Sequence, residues 1–339
     1  MSASARAIVI DRPGEHRLVS GPQAEPGPGE ARVVVHAAGI CGSDRELYDG
    51  TRAAGLVRYP VTPGHEWSGT VDAVGEGVAG ELVGRKVVAE GFRACLTCER
   101  CREGATSLCT RGYDETGFTR PGAFADSLLV PARLLHVLPD DADLRAAVLL
   151  EPAAVSAAAV LAGVPRPGDR IAVVGAGTLG LLALQLLAAY SPEELLVIDP
   201  RVQRSEQGLT MGATQIGTPA ENGASHGRFD LVVETAGAPS TAQDACLLAR
   251  RGGRVVLAGM FGSEAEGIDP GHLVGSQLTV RAVFGASSSA WSHAVRALGS
   301  GLLDPAPLIT HELPLTGFAE AIALVGGAHP AVGKVLLTP

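Results

Sequence analysis

Two textures of apolar patterning meet near Glu151 in this 339-residue chain. Before it, short runs rich in Val and Ile at 5–10, 31–37, 68–74 and 86–90 predict β-strands. Pro/Gly stretches such as 21–29 predict the turns between them. An all-β or barrel-like first domain is the expectation. After Glu151, an alanine-rich helical stretch at 153–162 leads to a Pro–Gly turn at 165–168. Apolar runs at 171–174, 195–198, 231–234 and 254–258 then alternate with helical segments, among them 181–189 and 241–249. That alternation implies an α/β domain of parallel strands joined by right-handed crossovers. Beyond residue 290 the order is helix, strand, helix, strand, closing on a strand at 334–337. The uncharged segment 171–192 is long enough to span a bilayer. Gly175, Gly177 and Gly180 interrupt it, however, and its first four residues read as a buried strand, so a strand–turn–helix is expected there.

The length suggests about two domains. Hydrophobic residues at 46% and charged residues at 19% fit a folded globular chain. A net charge of −9 without any basic run argues against nucleic acid or an anionic membrane as partner. Residues 7–10 are too short an apolar stretch for a secretory signal, which makes the cytoplasm the expected compartment. Lysine occurs only at Lys86 and Lys334.

The run 171–180, Ile-Ala-Val-Val-Gly-Ala-Gly-Thr-Leu-Gly, is a buried strand entering Gly-x-Gly-x-x-Gly. Gly175 permits a tight turn, Gly177 lets the backbone approach a pyrophosphate, and Gly180 lets the next helix pack on the strand. Thr178 and Leu179 lie in that glycine turn, ahead of the helix expected at 181–189, whose amino terminus would point at the phosphates. Asp199 ends the next strand nineteen residues past Gly180, a spacing that suits a carboxylate bonding the adenosine ribose hydroxyls. An acid there repels a 2′-phosphate, so NAD is expected over NADP, while Arg201 and Arg204 work against that preference. The bland alternative is a glycine-rich turn with Asp199 capping a loop. Segments 234–237 and 252–253 are expected to line the same crevice.

Four of the six cysteines crowd into fifteen residues: Cys95, Cys98, Cys101 and Cys109. A disulfide framework suits a small secreted chain; here four thiolates in one loop match a closed, structural zinc site. Cys246 reads as a small buried hydrophobe on a helix. Cys41 in Gly-Ile-Cys-Gly-Ser-Asp, His65 and Glu66 in Gly-His-Glu-Trp-Ser-Gly, and Glu151 in Glu-Pro are dispersed. No rule of spacing assembles them.

Taken in order, those motifs, the four-cysteine loop and the glycine fingerprint give the chain, from about residue 5 onward, a pattern that resembles the zinc-containing medium-chain dehydrogenases. Cys-Gly-Ser-Asp with Glu-Pro is similar to the polyol branch, which includes sorbitol and threonine dehydrogenases. The resemblance implies a GroES-like β-barrel catalytic domain at 1–152 with the structural-zinc loop at 91–112, a Rossmann domain at 153–289, and a C-terminal return at 290–339. It implies two zinc ions per chain. The catalytic one would be held by Cys41, His65 and a carboxylate, with Glu66 the expected third ligand and Glu151 an exchanging or water-bridged neighbour. Ser43 would accept the substrate proton and pass it toward solvent or the cofactor ribose, and Asp44 would orient the site. A homodimer or homotetramer is implied as well. Polyol relatives often carry a histidine where this chain has Glu46, which changes the relay path and the polar contacts. Segments 59–69 and 117–123 look like the aminocyclitol branch, which includes 2-deoxy-scyllo-inosamine dehydrogenase.

The expected reaction interconverts a secondary alcohol (polyol, cyclitol or aminocyclitol) and a ketone with NAD. The competitors are a threonine or simple alcohol dehydrogenase, a metal-free reductase on the same fold, and a non-catalytic nucleotide-binding protein. Glu46, Tyr48, Trp67, Arg120 and Phe284 are candidate pocket residues, each with packing or plain exposure as the alternative.

Overall fold

The structure is a computed structural model describing residues 4–262, 264–325 and 331–339. The chain forms two compact units, Met1–Glu151 with Pro305–Pro339, and Pro152–Asp304.

The first unit opens with an antiparallel hairpin of β1 (Ser4–Arg12) and β2 (Glu15–Pro22). There follow β3 (Glu30–Ile40), α1 (Gly42–Asp49), β4 (Glu66–Val74), β5 (Lys86–Ala89), α2 (Glu99–Arg102), β6 (Ser127–Pro131), β7 (Leu135–Val137) and α3 (Leu144–Ala147). β3 alternates buried and outward positions over its first half, as a strand with one face on a core must. It pairs antiparallel with β4 on one side and, along Glu30–Val34, with β6 on the other. Ile8, Ile10, Val33, Trp67, Phe118 and Phe124 are part of one core beneath these strands.

The helix α4 (Leu150–Gly163) carries the chain across the boundary into the second unit. That unit runs β8 (Arg170–Val174), α5 (Thr178–Ala188), β9 (Glu194–Ile198), α6 (Val202–Thr210), β10 (Gln215–Gly217), β11 (Phe229–Glu234), α7 (Thr241–Leu248), β12 (Ala249–Leu257), α8 (Pro270–Ser276), β13 (Thr279–Ala282) and α9 (Ser288–Gly299). Its six strands are all parallel, in the order β10-β9-β8-β11-β12-β13. Strand order reverses between β8 and β11. In such sheets a crevice opens there, beyond the carboxyl ends of the strands.

The chain then returns through β14 (Ile309–Pro314), α10 (Phe318–Leu324) and β15 (Lys334–Thr338). β15 adds antiparallel to β3, with Val335 opposite Ile40, and completes the order β14-β15-β3-β4-β5-β7, with β6 on β3. The return begins at Pro305, later than the expected residue 290, because α9 belongs to the second unit. A reciprocal pair of hydrogen bonds ties the end of that segment to α5: Gln185 Nε2 donates to the Asp304 carbonyl at 2.9 Å, and Asp304 N donates to Gln185 Oε1 at 2.7 Å. Among the described residues no helix is long and apolar enough to cross a membrane; the uncharged segment 171–192 is β8, a turn and α5.

Candidate metal centres and cofactor crevice

Cys41 follows the last residue of β3 and caps α1, and Asp44 Oδ2 accepts a hydrogen bond from Cys41 N at 2.9 Å. His65 and Glu66 stand at the start of β4, where Glu66 pairs with Gly39. Any side chain at Gly39 would collide with the Glu66 carboxylate, so the adjoining strands approach closely at this point. As a result Cys41, His65 and Glu66 each bring a ligand atom within 4.8 Å of the others. Asp44 is fully buried, with Oδ1 3.5 Å from His65 Nδ1. Ser43 is half-buried in the first turn of α1. Glu151, near the start of α4, lies outside the 4.8 Å set. Burial pushes its carboxyl up to about 8, against the pull of His65 and with Glu66 adding to the rise.

Burial disfavours the protonated form of His65, yet Asp44 and Cys41 reverse that and raise its pKa well above the ordinary range. A buried imidazole ringed by a thiol and carboxylates is a position where a divalent cation can replace the proton, so the donor set fits a metal. A fourth residue joins it from the far end of the chain. Lys334 Nζ donates to both oxygens of Glu66, at 2.7 and 2.6 Å, and both side chains are buried.

The four cysteines of the 91–112 loop form a second set within 4.8 Å, none of them in a disulfide. Cys95 and Cys98 precede α2, Cys101 lies within it, and Cys109 follows the next turn. Cys95 Sγ accepts hydrogen bonds from Thr97 N at 3.4 Å and Cys98 N at 3.3 Å. Bonds from Thr97 and the backbone lower its pKa to about 5, and Cys98 is lowered to about 7 by backbone bonds at Thr110 and Cys101. Cys95 and Cys101 sulfurs are 4.0 Å apart. Thiolates bound at 2.3 Å around a tetrahedral zinc stand roughly 3.8 Å apart, so this set fits one.

In the second unit, Gly175 at φ +100° follows β8, and Gly177 precedes α5, which begins with Thr178 and Leu179. A side chain at Gly180 would strike the Gly175 carbonyl, so this position has to be bare for α5 to pack against the strand end. A cavity of about 350 Å³ opens at the carboxyl ends of β8, β9 and β11, lined by Gly175, Gly177, Asp199, Arg201 and Thr235 among others. Asp199 Oδ1 accepts from Arg201 N at 2.9 Å and Arg201 Nε at 2.8 Å; Oδ2 accepts from Ala176 N at 2.8 Å and Arg201 Nη2 at 2.9 Å. Burial opposes its charge, but the Arg201 bonds leave its carboxyl below the usual range. Arg204 is buried on α6, bonded to Gln207 at 3.2 Å, and is not among the residues lining the cavity. Glu234 holds the neighbouring loop, accepting from Ala236 N at 2.8 Å, Gly237 N at 2.7 Å and Thr241 Oγ1 at 2.8 Å.

Of the candidate pocket residues, Trp67 is 3% exposed and belongs to the core. Tyr48 donates to the Gly14 carbonyl at 3.0 Å and packs edge-on against Phe318. Arg120 is paired with Asp114 at the surface, and Phe284 is exposed. Glu46 stands beside Arg52. Lys334, Arg52, Tyr113 and Glu115 were not singled out by pattern. Only the scarcity of lysine marked Lys334, and nothing local marked the other three.

Residues 27–140 match the alcohol dehydrogenase GroES-like domain family, and residues 178–300 match the zinc-binding dehydrogenase family. The chain belongs to the zinc-containing medium-chain dehydrogenases. Its sheet order and hairpin-rich first unit are therefore those of a GroES-like domain joined to a Rossmann domain. Like the family, this dehydrogenase is an oxidoreductase acting on CH–OH groups. It is 32% identical to galactitol 1-phosphate 5-dehydrogenase of Escherichia coli K12, over 91% of this chain and 92% of that one. The alcohol dehydrogenase RspB of E. coli CFT073, solved with NADH, superposes with a TM-score of 0.92 at 30% identity over 100% of both chains. A Sinorhizobium meliloti 1021 protein solved with NADP gives the same TM-score at 26% identity, also over 100% of both.

Proposed function

We propose that this dehydrogenase oxidises a secondary hydroxyl of a polyol, cyclitol or aminocyclitol to a ketone, with NAD preferred as hydride acceptor. The observation that carries the reading is the separation of its metal-ligating groups into two sets. One is a closed loop of four cysteines. The other, Cys41, His65 and Glu66, mixes donor types and, among the described residues, offers three ligands within 4.8 Å, which suits a site that keeps a position for substrate. Two zinc ions per chain follow, with Glu151 as the exchanging neighbour of the second set. A metal in that set supplies Lewis acidity toward the substrate hydroxyl. Nicotinamide supplies hydride acceptance. The residues supply position and proton handling. Asp44 sets the His65 ring, Lys334 holds Glu66, and Ser43 accepts the substrate proton. A homodimer or homotetramer in the cytoplasm is part of the same reading.

Polyol chemistry is supported by the galactitol 1-phosphate relative. The cyclitol and aminocyclitol refinement rests on segments 59–69 and 117–123. The NAD preference rests on Asp199, whose buried carboxylate lines the crevice and repels a 2′-phosphate. Arg201 occupies that carboxylate, so a ribose diol has to displace the guanidinium on binding.

The test is reduced-nicotinamide absorbance with NAD or NADP across cyclitols, aminocyclitols, linear polyols, threonine and simple alcohols, with and without chelator. Chelator-sensitive, NAD-linked turnover of a cyclitol or aminocyclitol is expected. Turnover of threonine or simple alcohols alone would overturn the substrate class. Ser43→Ala should lower kcat by about 10²- to 10⁴-fold with zinc content intact; unchanged turnover removes Ser43 from the relay. Asp199→Ala should raise the KM for NAD by about tenfold or more while affecting NADP less. Equal changes for both cofactors would show that Asp199 does not discriminate between them.

A further inference from the structure

The helix that carries Glu151 is built almost wholly from alanine, valine and leucine. Apart from Glu151, the only polar side chain along α4 is Ser156, which is buried at 2% exposure. Packing alone does not call for a hydroxyl there. Alanine is the better helix former and brings no polar atom to desolvate. The hydroxyl has two carbonyls within reach instead. Ser156 Oγ lies 3.0 Å from the Pro152 carbonyl, one turn back in α4, and 2.9 Å from the Leu179 carbonyl, in the first turn of α5. A hydroxyl has one proton to donate, so these two carbonyls share it or compete for it.

Each carbonyl lies in a first turn with chemistry of its own. Pro152 directly follows Glu151, and both stand in the first turn of α4. A serine bond to the carbonyl four residues earlier tends to bend a helix, so it bears on how that turn is held. Leu179 lies in the glycine fingerprint, and its carbonyl shares a peptide group with the N–H of Gly180. The first internal bond of α5 runs from Leu181 N to the Gly177 carbonyl at 2.9 Å. The N–H groups of Thr178, Leu179 and Gly180 therefore precede the helical ladder and point out of the helix end, as donors to an anion do. Thr235 Oγ1 donates to the Val174 and Gly175 carbonyls at 3.0 and 3.1 Å, and Gly180 has no room for a side chain against it. The first turn of α5 is thus fixed on the strand ends, and Ser156 ties α4 to that fixed turn.

Hydrogen bonds in a chain polarise one another. An anion that accepts from a peptide N–H makes the carbonyl of the same peptide a stronger acceptor. A pyrophosphate at the amino terminus of α5 thus draws the Ser156 proton toward Leu179 and away from Pro152. The first turn of α4, with Glu151 in it, loses that bond when the dinucleotide binds and regains it when the dinucleotide leaves.

We propose that Ser156 is a positioning residue that couples dinucleotide binding on α5 to the placement of Glu151. The inference rests on the NAD binding and the role of Glu151 proposed above, so nucleotide affinity is measured directly. Calorimetric titration of the zinc-loaded protein with NAD is carried through a double-mutant cycle of wild type, Glu151→Gln, Ser156→Ala and the double variant. Ser156→Thr, alone and with Glu151→Gln, keeps the hydroxyl and serves as the conservative control. Glu151→Gln should change the NAD Kd about three- to tenfold when residue 156 is serine or threonine, the range of one net hydrogen bond. In the Ser156→Ala background the same change should have an effect of less than about twofold. An effect kept by Ser156→Thr and lost in Ser156→Ala supports the coupling. A purely structural role would weaken NAD binding in the Ser156→Ala protein yet leave the Glu151→Gln effect the same size, and that result overturns the coupling alone. So does the absence of any Glu151→Gln effect in otherwise wild-type protein. Failure of wild type to bind NAD or NADP overturns the nicotinamide reading and the coupling together.

Discussion

Cys41→Ser should lower turnover by about 10³-fold or more, since the Lewis acidity it removes supplies several kcal/mol to the barrier. Bound zinc should fall from about two ions per chain to about one. The reason is the independence of the two ligand sets. Cys41 caps α1 at the end of β3, whereas the four cysteines of the other set lie within one loop between β5 and β6. Losing a ligand from the three-residue set leaves His65 and Glu66 too few to hold the ion. The loop keeps all its thiolates, so thermal stability should change little. Metal analysis and kinetics on one preparation check both halves. Retention of two ions, or full activity, would falsify the assignment of Cys41.

Lys334→Met should destabilise the first unit by about 3–5 kcal/mol, the cost of leaving a buried carboxylate without its partner. Glu66 is 1% exposed and receives both of its Lys334 hydrogen bonds from a side chain that is itself buried. Attraction to Glu66 and Cys41 raises the Lys334 pKa even though burial opposes the charge. The ammonium is therefore the state to be replaced. Denaturant unfolding of wild type, Lys334→Met, Glu66→Leu and the double variant isolates the coupling, because removing both charges together costs less than removing either alone. The loss should also shrink in zinc-loaded protein, where the ion shares the charge of Glu66. Additive single and double effects would mean that the pair contributes no coupling.

Much of the second unit was legible in its sequence. β8, β9, β11 and β12 coincide with short apolar runs, and Gly175, Gly177, Gly180 and Asp199 fall within 25 residues. Strand, turn and helix there are decided by neighbouring residues. β2, β10 and β13 were not read, because they are short or partly exposed strands without a clear apolar alternation. Their place is set by partners across the sheet. The same holds for α9, whose assignment to the second unit depends on packing rather than on a break in pattern.

By itself, then, the sequence determined the four-cysteine set, the glycine turn and the two-texture division of the chain. In each, the interacting groups are close in sequence, and local backbone geometry is enough to bring them together. Tertiary structure alone decided the rest. Cys41 meets His65 and Glu66 because β3 and β4 are paired in one register, and a shift of one residue would turn Glu66 to the opposite face. Lys334 reaches Glu66 across 268 residues because β15 returns to pair with β3. Arg52 reaches Tyr113, 61 residues on, because the backbone of residues 122–124 is hydrogen-bonded to residues 62–64. Charged side chains brought together under burial from distant segments leave no periodic mark in sequence, since what sets their partners is the closing of the sheet around them.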